Sequence, residues 1–205
     1  DFLNYVRKLN SEGIREWSKG SPCHWGENEN RRIISDGLGG CIHAWEYDNL
    51  LDNEHTIYCT RYDSSGQAKW SENSQVPVIA KGGKEIGLEN MISDGIGGVL
   101  VFYKKGIGGN SAYYALKIDA SGHRTWGYDG KLIATINNAY TPEFNGTFSS
   151  EGNVIIAWTE GGNIIVAKYN EAGSVKWRGA IDRIHPSMIR VTPDKQFGVI
   201  VTWLE

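Results

Sequence analysis

Long apolar runs are missing from this sequence, and none approaches the roughly 20 residues that cross a bilayer as a helix. A signal-peptide pattern is missing too; the chain opens at Asp1, which is compatible with a leader removed upstream. Strong charge of either sign is absent. The formal net charge is −3, with both signs interspersed, so nothing draws the chain toward nucleic acid or an anionic membrane. Cysteine is scarce: Cys23, Cys41 and Cys59 are odd in number and form no Cys-x-x-Cys pair. That excludes a complete disulfide framework and argues against zinc. With a hairpin centred near residue 51, Cys41 is expected opposite Tyr62 rather than Cys59, and all three are expected as buried or half-buried thiols.

Catalytic signatures are equally thin. No Gly-x-Ser-x-Gly, His-Glu-x-x-His or P-loop pattern occurs. His24, His43, His55, His123 and His185 fall at unrelated places, and the Gly-rich run 106–110 joins apolar stretches rather than opening a helix. The expectation is a non-enzymatic chain without cofactor or metal. Methionine is limited to two residues, against 26 glycines, eight tryptophans and ten tyrosines. That balance suits many short strands joined by tight turns.

What is present is repetition. A polar residue, a glycine three later and a tryptophan four after that recur as Asn10, Gly13 and Trp17; Asp63, Gly66 and Trp70; Asp119, Gly122 and Trp126; and Asn170, Gly173 and Trp177. The tryptophans are 53, 56 and 51 residues apart. A second signature lies between them. Ser35, Asp36, Gly37, Gly39 and Gly40 lead to Trp45, and Ser93, Asp94, Gly95, Gly97 and Gly98 lead to Tyr103. A shortened copy, Glu151 and Gly152, leads to Trp158, and a degenerate one, Asp194 and Gly198, leads to Trp203. The Asp-Gly and Gly-Gly steps supply the positive φ of hairpin turns. The acidic turn residues Asp36, Asp94 and Glu151 are expected to shape turns, since one carboxylate per loop falls short of a calcium cage. Asp63 and Asp119 are expected to cap their own turns.

Each unit then reads as four antiparallel strands, clearest at 31–35, 41–47, 55–62 and 67–70. The fold expected is all-β: a single domain over 1–205, a β-propeller of four four-stranded blades covering 31–70, 89–126, 143–177, and 188–205 joined to 1–17. The last blade is composite. The chain starts with third- and fourth-type strands at 1–9 and 14–17, and ends with first- and second-type strands at 188–191 and 199–203. Pairing the two ends closes the ring and removes both open edges. Two rivals stand beside closure: a segment of a longer array, and a half that pairs with a second copy. A β-sandwich gives no reason to repeat one turn-and-tryptophan grammar four times.

At the Asp/Asn-x-x-Gly-x-x-x-Trp positions the chain resembles the quinoprotein-like (PQQ-like) propeller repeat, in which a tryptophan docks between blades. The Ser-Asp-Gly-x-Gly-Gly step resembles repeats of predicted bacterial surface and secreted propellers. The resemblance implies architecture and an extracellular, periplasmic or cell-surface location; the family includes dehydrogenases and pure scaffolds. Its quinone-dependent members use an adjacent cysteine pair, which this sequence lacks.

Trp17, Trp70, Trp126 and Trp177 are accordingly expected between blades, and Trp45, Tyr103, Trp158 and Trp203 in the core. Ligand contacts are expected on one axial face, from loops entering first strands (Arg31, Arg32, Glu89, Asn90, Glu143, Ser187) and loops leaving second strands (Glu46, Tyr47, Asp48, Lys104, Lys105, Glu160). The partner expected is a protein, or alternatively a glycan, with no nucleic acid and no membrane span.

Overall fold

A computed structural model of the chain describes residues 3–17, 21–25, 30–49, 54–70, 78–82, 86–107, 109–137, 141–182, 186–194 and 196–205. Sixteen strands and no helix occur among them. Three sheets have four antiparallel strands each. The first holds β3 (Arg31–Ser35), β4 (Cys41–Asn49), β5 (Glu54–Tyr62) and β6 (Val78–Gly82); the second holds β7 (Gly87–Ser93), β8 (Val99–Ile107), β9 (Asn110–Ile118) and β10 (Lys131–Asn137). The third holds β11 (Phe144–Phe148), β12 (Val154–Glu160), β13 (Asn163–Tyr169) and β14 (Val175–Ile181). In all three the strands are ordered as in the chain. The ends form two separate two-stranded sheets, β1 (Leu3–Val6) with β2 (Ser21–Trp25), and β15 (Ser187–Pro193) with β16 (Val199–Leu204). The all-β, multi-sheet expectation therefore holds, and the two halves of the expected composite blade are two separate sheets with no strand pairing between them among the described residues.

The sheets stack face on face, which is why their second strands read as nearly unbroken apolar runs. In β12 one face, Ile156 and Trp158, packs with Leu100 and Phe102 of the second sheet. Its other face, Ile155 and Ala157, packs with Ile189 of β15 and the half-buried Val201 and Trp203 of β16. Ile42 and Ala44 of β4 meet Val99, Val101 and Tyr103 of β8 in the same way. Trp45, Tyr103 and Trp158 are fully buried, as expected, and Trp203 is half-buried. The β4–β5 register sets Cys41 opposite Tyr62 and Cys59 opposite Ala44. Cys41 and Cys59 are free thiols, half-buried and buried, and burial pushes the Cys59 pKa up. The side chains of Cys23 and His24, and the whole of His185, lie outside the described residues.

Turn chemistry follows the sequence closely. The Asp63 carboxylate accepts hydrogen bonds from the backbone N–H of Ser65 and Gln67 at 2.9 and 3.0 Å, and Asp119 does the same for Ser121 and His123. Asp36 accepts from Leu38 and Gly40, and Asp94 from Ile96 and Gly98. Asp36 is fully buried and meets Arg61 Nε at 2.9 Å. Burial pushes its pKa up, but the N–H of Leu38, the Arg61 guanidinium and the N–H of Gly40 outweigh this and hold it below the usual value.

One element is displaced from expectation. In the first two sheets the fourth strand is not the stretch running into the tryptophan; residues 67–70 contribute only an isolated bridge, Tyr62 to Ala68, and the strand is Val78–Gly82. The second sheet repeats this, with a bridge at Ile118 and Arg124 before Lys131–Asn137. At the N-terminus the bridge is Leu9 to Arg15, ahead of Ser21–Trp25. Only in the third sheet does the fourth strand contain its tryptophan, Trp177. The cause is a competing partner: the rings of Trp17, Trp70 and Trp126 leave their own ladders for the neighbouring unit. Their Nε1 atoms donate to the carbonyls of Ser64, Ala120 and Glu171 at 3.0, 3.1 and 2.9 Å. All three are buried.

Candidate functional site

The first strands pack in succession, β3 on β7, β7 on β11 and β11 on β15. Much of what holds them is supplied by residues that sequence reasoning marked for ligands. Asn90 Nδ2 donates to the carbonyl of Phe144 at 3.1 Å, and Glu143 Oε2 accepts from the N–H of Ile189 at 3.1 Å. Arg32 reaches the carbonyl of Glu89 at 3.1 Å, while the Glu46 carboxylate accepts from the N–H of Leu88. These side chains satisfy backbone groups that a first strand, paired on one side only, would leave unpaired. They clasp one sheet to the next.

Between the clasps of β7, β11 and β15 lies a polar cleft of about 460 Å³, lined by Glu89, Asn90, Glu143, Phe144, Ile189 and Arg190 among others. Three expected residues, Glu89, Asn90 and Glu143, thus converge. Glu89 is paired with Lys104 at 3.3 Å, and Arg190 donates to the carbonyl of Ile189 at 2.8 Å. Each clasp uses one oxygen or one N–H, so carboxylate and guanidinium capacity remains on the cleft wall. Arg190 was not foreseen. Its signal was an exposed cation alternating with the apolar Ile189 and Val191 on a first strand.

Arg31 and Arg32 sit elsewhere, in a second cleft of about 320 Å³ with Val6, Arg7, Ile33 and His43. His43 is buried, its ring stacked on Trp45 at 4.9 Å, and its Nδ1 has no hydrogen-bond partner. Burial first, then the Arg31 charge, lowers its pKa to about 4. Ser187, at the start of β15, pairs with Leu204 and lines neither cleft.

The remaining expected ligand residues are committed to structure. Tyr47 and Asp48 lie on β4, Tyr47 edge-on to Tyr58; Asp48 Oδ1 is buried 3.3 Å from His55 Nε2 without forming a hydrogen bond. Lys105 pairs with Asp129 at 3.0 Å and lies over the rings of Tyr103 and Tyr114. Glu160 accepts from Trp158 Nε1 at 2.8 Å and from Arg178. Among the described residues no three His, Cys, Asp or Glu side chains gather as a metal cage, and no helix is long and apolar enough to cross a membrane. Neither a scan against protein-family models nor a search of curated proteins finds a match to this chain.

Proposed function

We propose that this chain is a non-catalytic binding or scaffold module of propeller type that engages a protein partner through the cleft between β7, β11 and β15. The observation that carries the reading is that cleft itself. Glu89, Glu143 and Arg190 converge on strands locked to one another by side-chain-to-backbone bonds, so the charges are held in place before a partner arrives. Preorganised polar groups lose little entropy on binding. With two carboxylates against one guanidinium, the cleft suits a basic side chain presented by a protein surface.

A sugar-binding propeller would repeat similar pockets from unit to unit. Here the two clefts differ in kind, one carboxylate-rich and one lined by three arginines. That favours a protein partner over a glycan. The propeller reading includes a ring completed by union of the two half sheets, and an extracellular, periplasmic or surface location rests on the resemblance of the repeats to exported propellers.

Peptide-library selection and a glycan array, run in parallel with a Glu89→Ala/Arg190→Ala variant, test this. Enrichment of peptides centred on Lys or Arg, weakened roughly tenfold or more in the variant, is the expected result. Selective glycan binding lost in the variant would overturn it in favour of a lectin, and retention of both signals in the variant would move the site out of the cleft.

A further inference from the structure

The tryptophan joint occurs three times inside the chain, and its two halves stand unmatched at opposite ends. In each complete joint the ring lies on a glycine of the next unit's turn: an added Cβ would meet the Trp17 ring at 2.7 Å from Gly66, the Trp70 ring at 2.9 Å from Gly122 and the Trp126 ring at 3.0 Å from Gly173. The first turn has the same build. Asn10 Oδ1 accepts from the N–H of Glu12 and Ile14, and Gly13 has φ 78°. Yet among the described residues nothing lies within 4 Å of where a Gly13 Cβ would be. At the other end Trp177, the fourth ring of the series, is 39 % exposed. One ring lacks a turn, and one turn lacks a ring.

The faces repeat the pattern. Ile42, Leu100 and Ile155, second in their strands, are fully buried against the following sheet; Ile200, second in β16, is 54 % exposed, as is Leu204 on the same face. The receiving position shows the mirror image. Met91 is buried under the first sheet, Gly146 lies against Ile92 of the second, and Val191 packs on the third. Ile33, which occupies that register in the first sheet, is 57 % exposed. Beside it the buried Nδ1 of His43 and Nε1 of Trp45 have no hydrogen-bond partner. The sheets agree as well, since β15–β16 is a first-and-second-strand half and β1–β2 a third-and-fourth-strand half. Joined at β16 and β1 they restore the strand order of the three whole sheets.

We infer that the Trp177–Ile200–Leu204 face of one copy docks head to tail on the Gly13–Ile33 face of a second copy, with Trp177 seated on the turn at 10–13. A second copy is favoured over the chain's own end because no packing comparable to β3–β7, β7–β11 and β11–β15 joins β15 back to β3. The contact is heterologous, so it either closes a ring or runs on. Three whole sheets and two halves make four units per copy. Two copies therefore give about eight blades, within the range over which propellers close.

Light-scattering mass across a dilution series of the full chain reads the association directly. Trp177→Ala and Ile33→Asp alter residues that are part exposed in a single copy, so both variants are expected to keep the wild-type circular dichroism. Trp177→Ala is expected to weaken association roughly thirtyfold, as truncation of a central interface tryptophan does. Mixing the two variants supplies the decisive arm. Each spoils a different face, so the intact tail of the Ile33→Asp copy still docks on the intact head of the Trp177→Ala copy, and dimers reappear. A wild type that stays monomeric up to its solubility limit overturns the proposal. If the emission that Trp177→Phe removes is then shielded from acrylamide, the chain has closed on its own turn; if it is quenched, the face is simply free. Variants that associate as the wild type does would also overturn it.

Discussion

A neutral histidine buried among arginines gives the molecule a pH dependence whose sign is fixed. His43 ionises at about 4 in the folded chain against an ordinary value of 6.5, through burial first and the Arg31 charge second. Arg7, Arg31 and Arg32 line the cleft it faces, and no carboxylate does among the described residues. The folded state therefore binds fewer protons than the unfolded chain between these values. The contribution is fully present above pH 6.5 and is lost as pH falls toward 4, amounting to about 3 kcal/mol over the window. Urea unfolding at pH 7.5 and pH 4.5, with His43→Phe as the comparison, isolates it: the ring keeps its stack on Trp45 but no longer titrates. Between these two pH values the wild type should lose about 2.5 kcal/mol more than the variant. Equal losses would mean that His43 charges as readily in the folded state as in the unfolded one.

At the scale of elements, the turns were legible, and of the fourth strands only that of the third sheet was. An Asp or Asn that accepts two backbone N–H groups and a glycine at positive φ are local devices, so Asp63, Asp119 and Gly66 could be read from their neighbours in sequence. Which segment fills the free edge of β5 is decided by pairing between residues 20 to 27 apart, from Tyr58 with Val78 to His55 with Gly82, and the ring of Trp70 biases its own segment away from the ladder. The same logic explains the site. Glu89 and Asn90 lie within β7 and Glu143 just ahead of β11, and they come together because first strands pack in succession; their clasping role depends on backbone groups of another sheet. Tyr47, Asp48, Lys105 and Glu160, expected on loops leaving second strands, lie within β4, β8 and β12 and away from the cleft. Gly66 tests the joint itself. Its φ of 83° and the Trp17 ring 2.7 Å from its would-be Cβ make Gly66→Ala both strained and crowded. Chemical denaturation should show a loss of about 2 kcal/mol or more, against roughly 1 for Gly13→Ala, where only the backbone is strained. Equal losses would remove ring contact from the account of the joint.

For the whole molecule, stacking sheets in series makes stability a sum of units and their interfaces rather than of one core. The third sheet is enclosed on both sides, and Val154 to Thr159 of β12 are buried without a break. In β16 burial alternates, half-buried toward the third sheet and exposed at Ile200, Thr202 and Leu204. Opening β16 costs one apolar face and one ladder, whereas opening β12 breaks two of each. Amide hydrogen exchange should therefore be slowest along β8 and β12 and faster by several orders of magnitude in β16. That gradient belongs to the single copy, so it is measured at high dilution. Raising the protein concentration covers the exposed face and adds a ladder at the free edge of β16, and mass action then shifts its exchange toward that of the inner strands. A protection pattern already uniform at high dilution would mean that the end sheets are sealed within one chain. A gradient unmoved by concentration would leave the exposed face of β16 without a partner in its own kind.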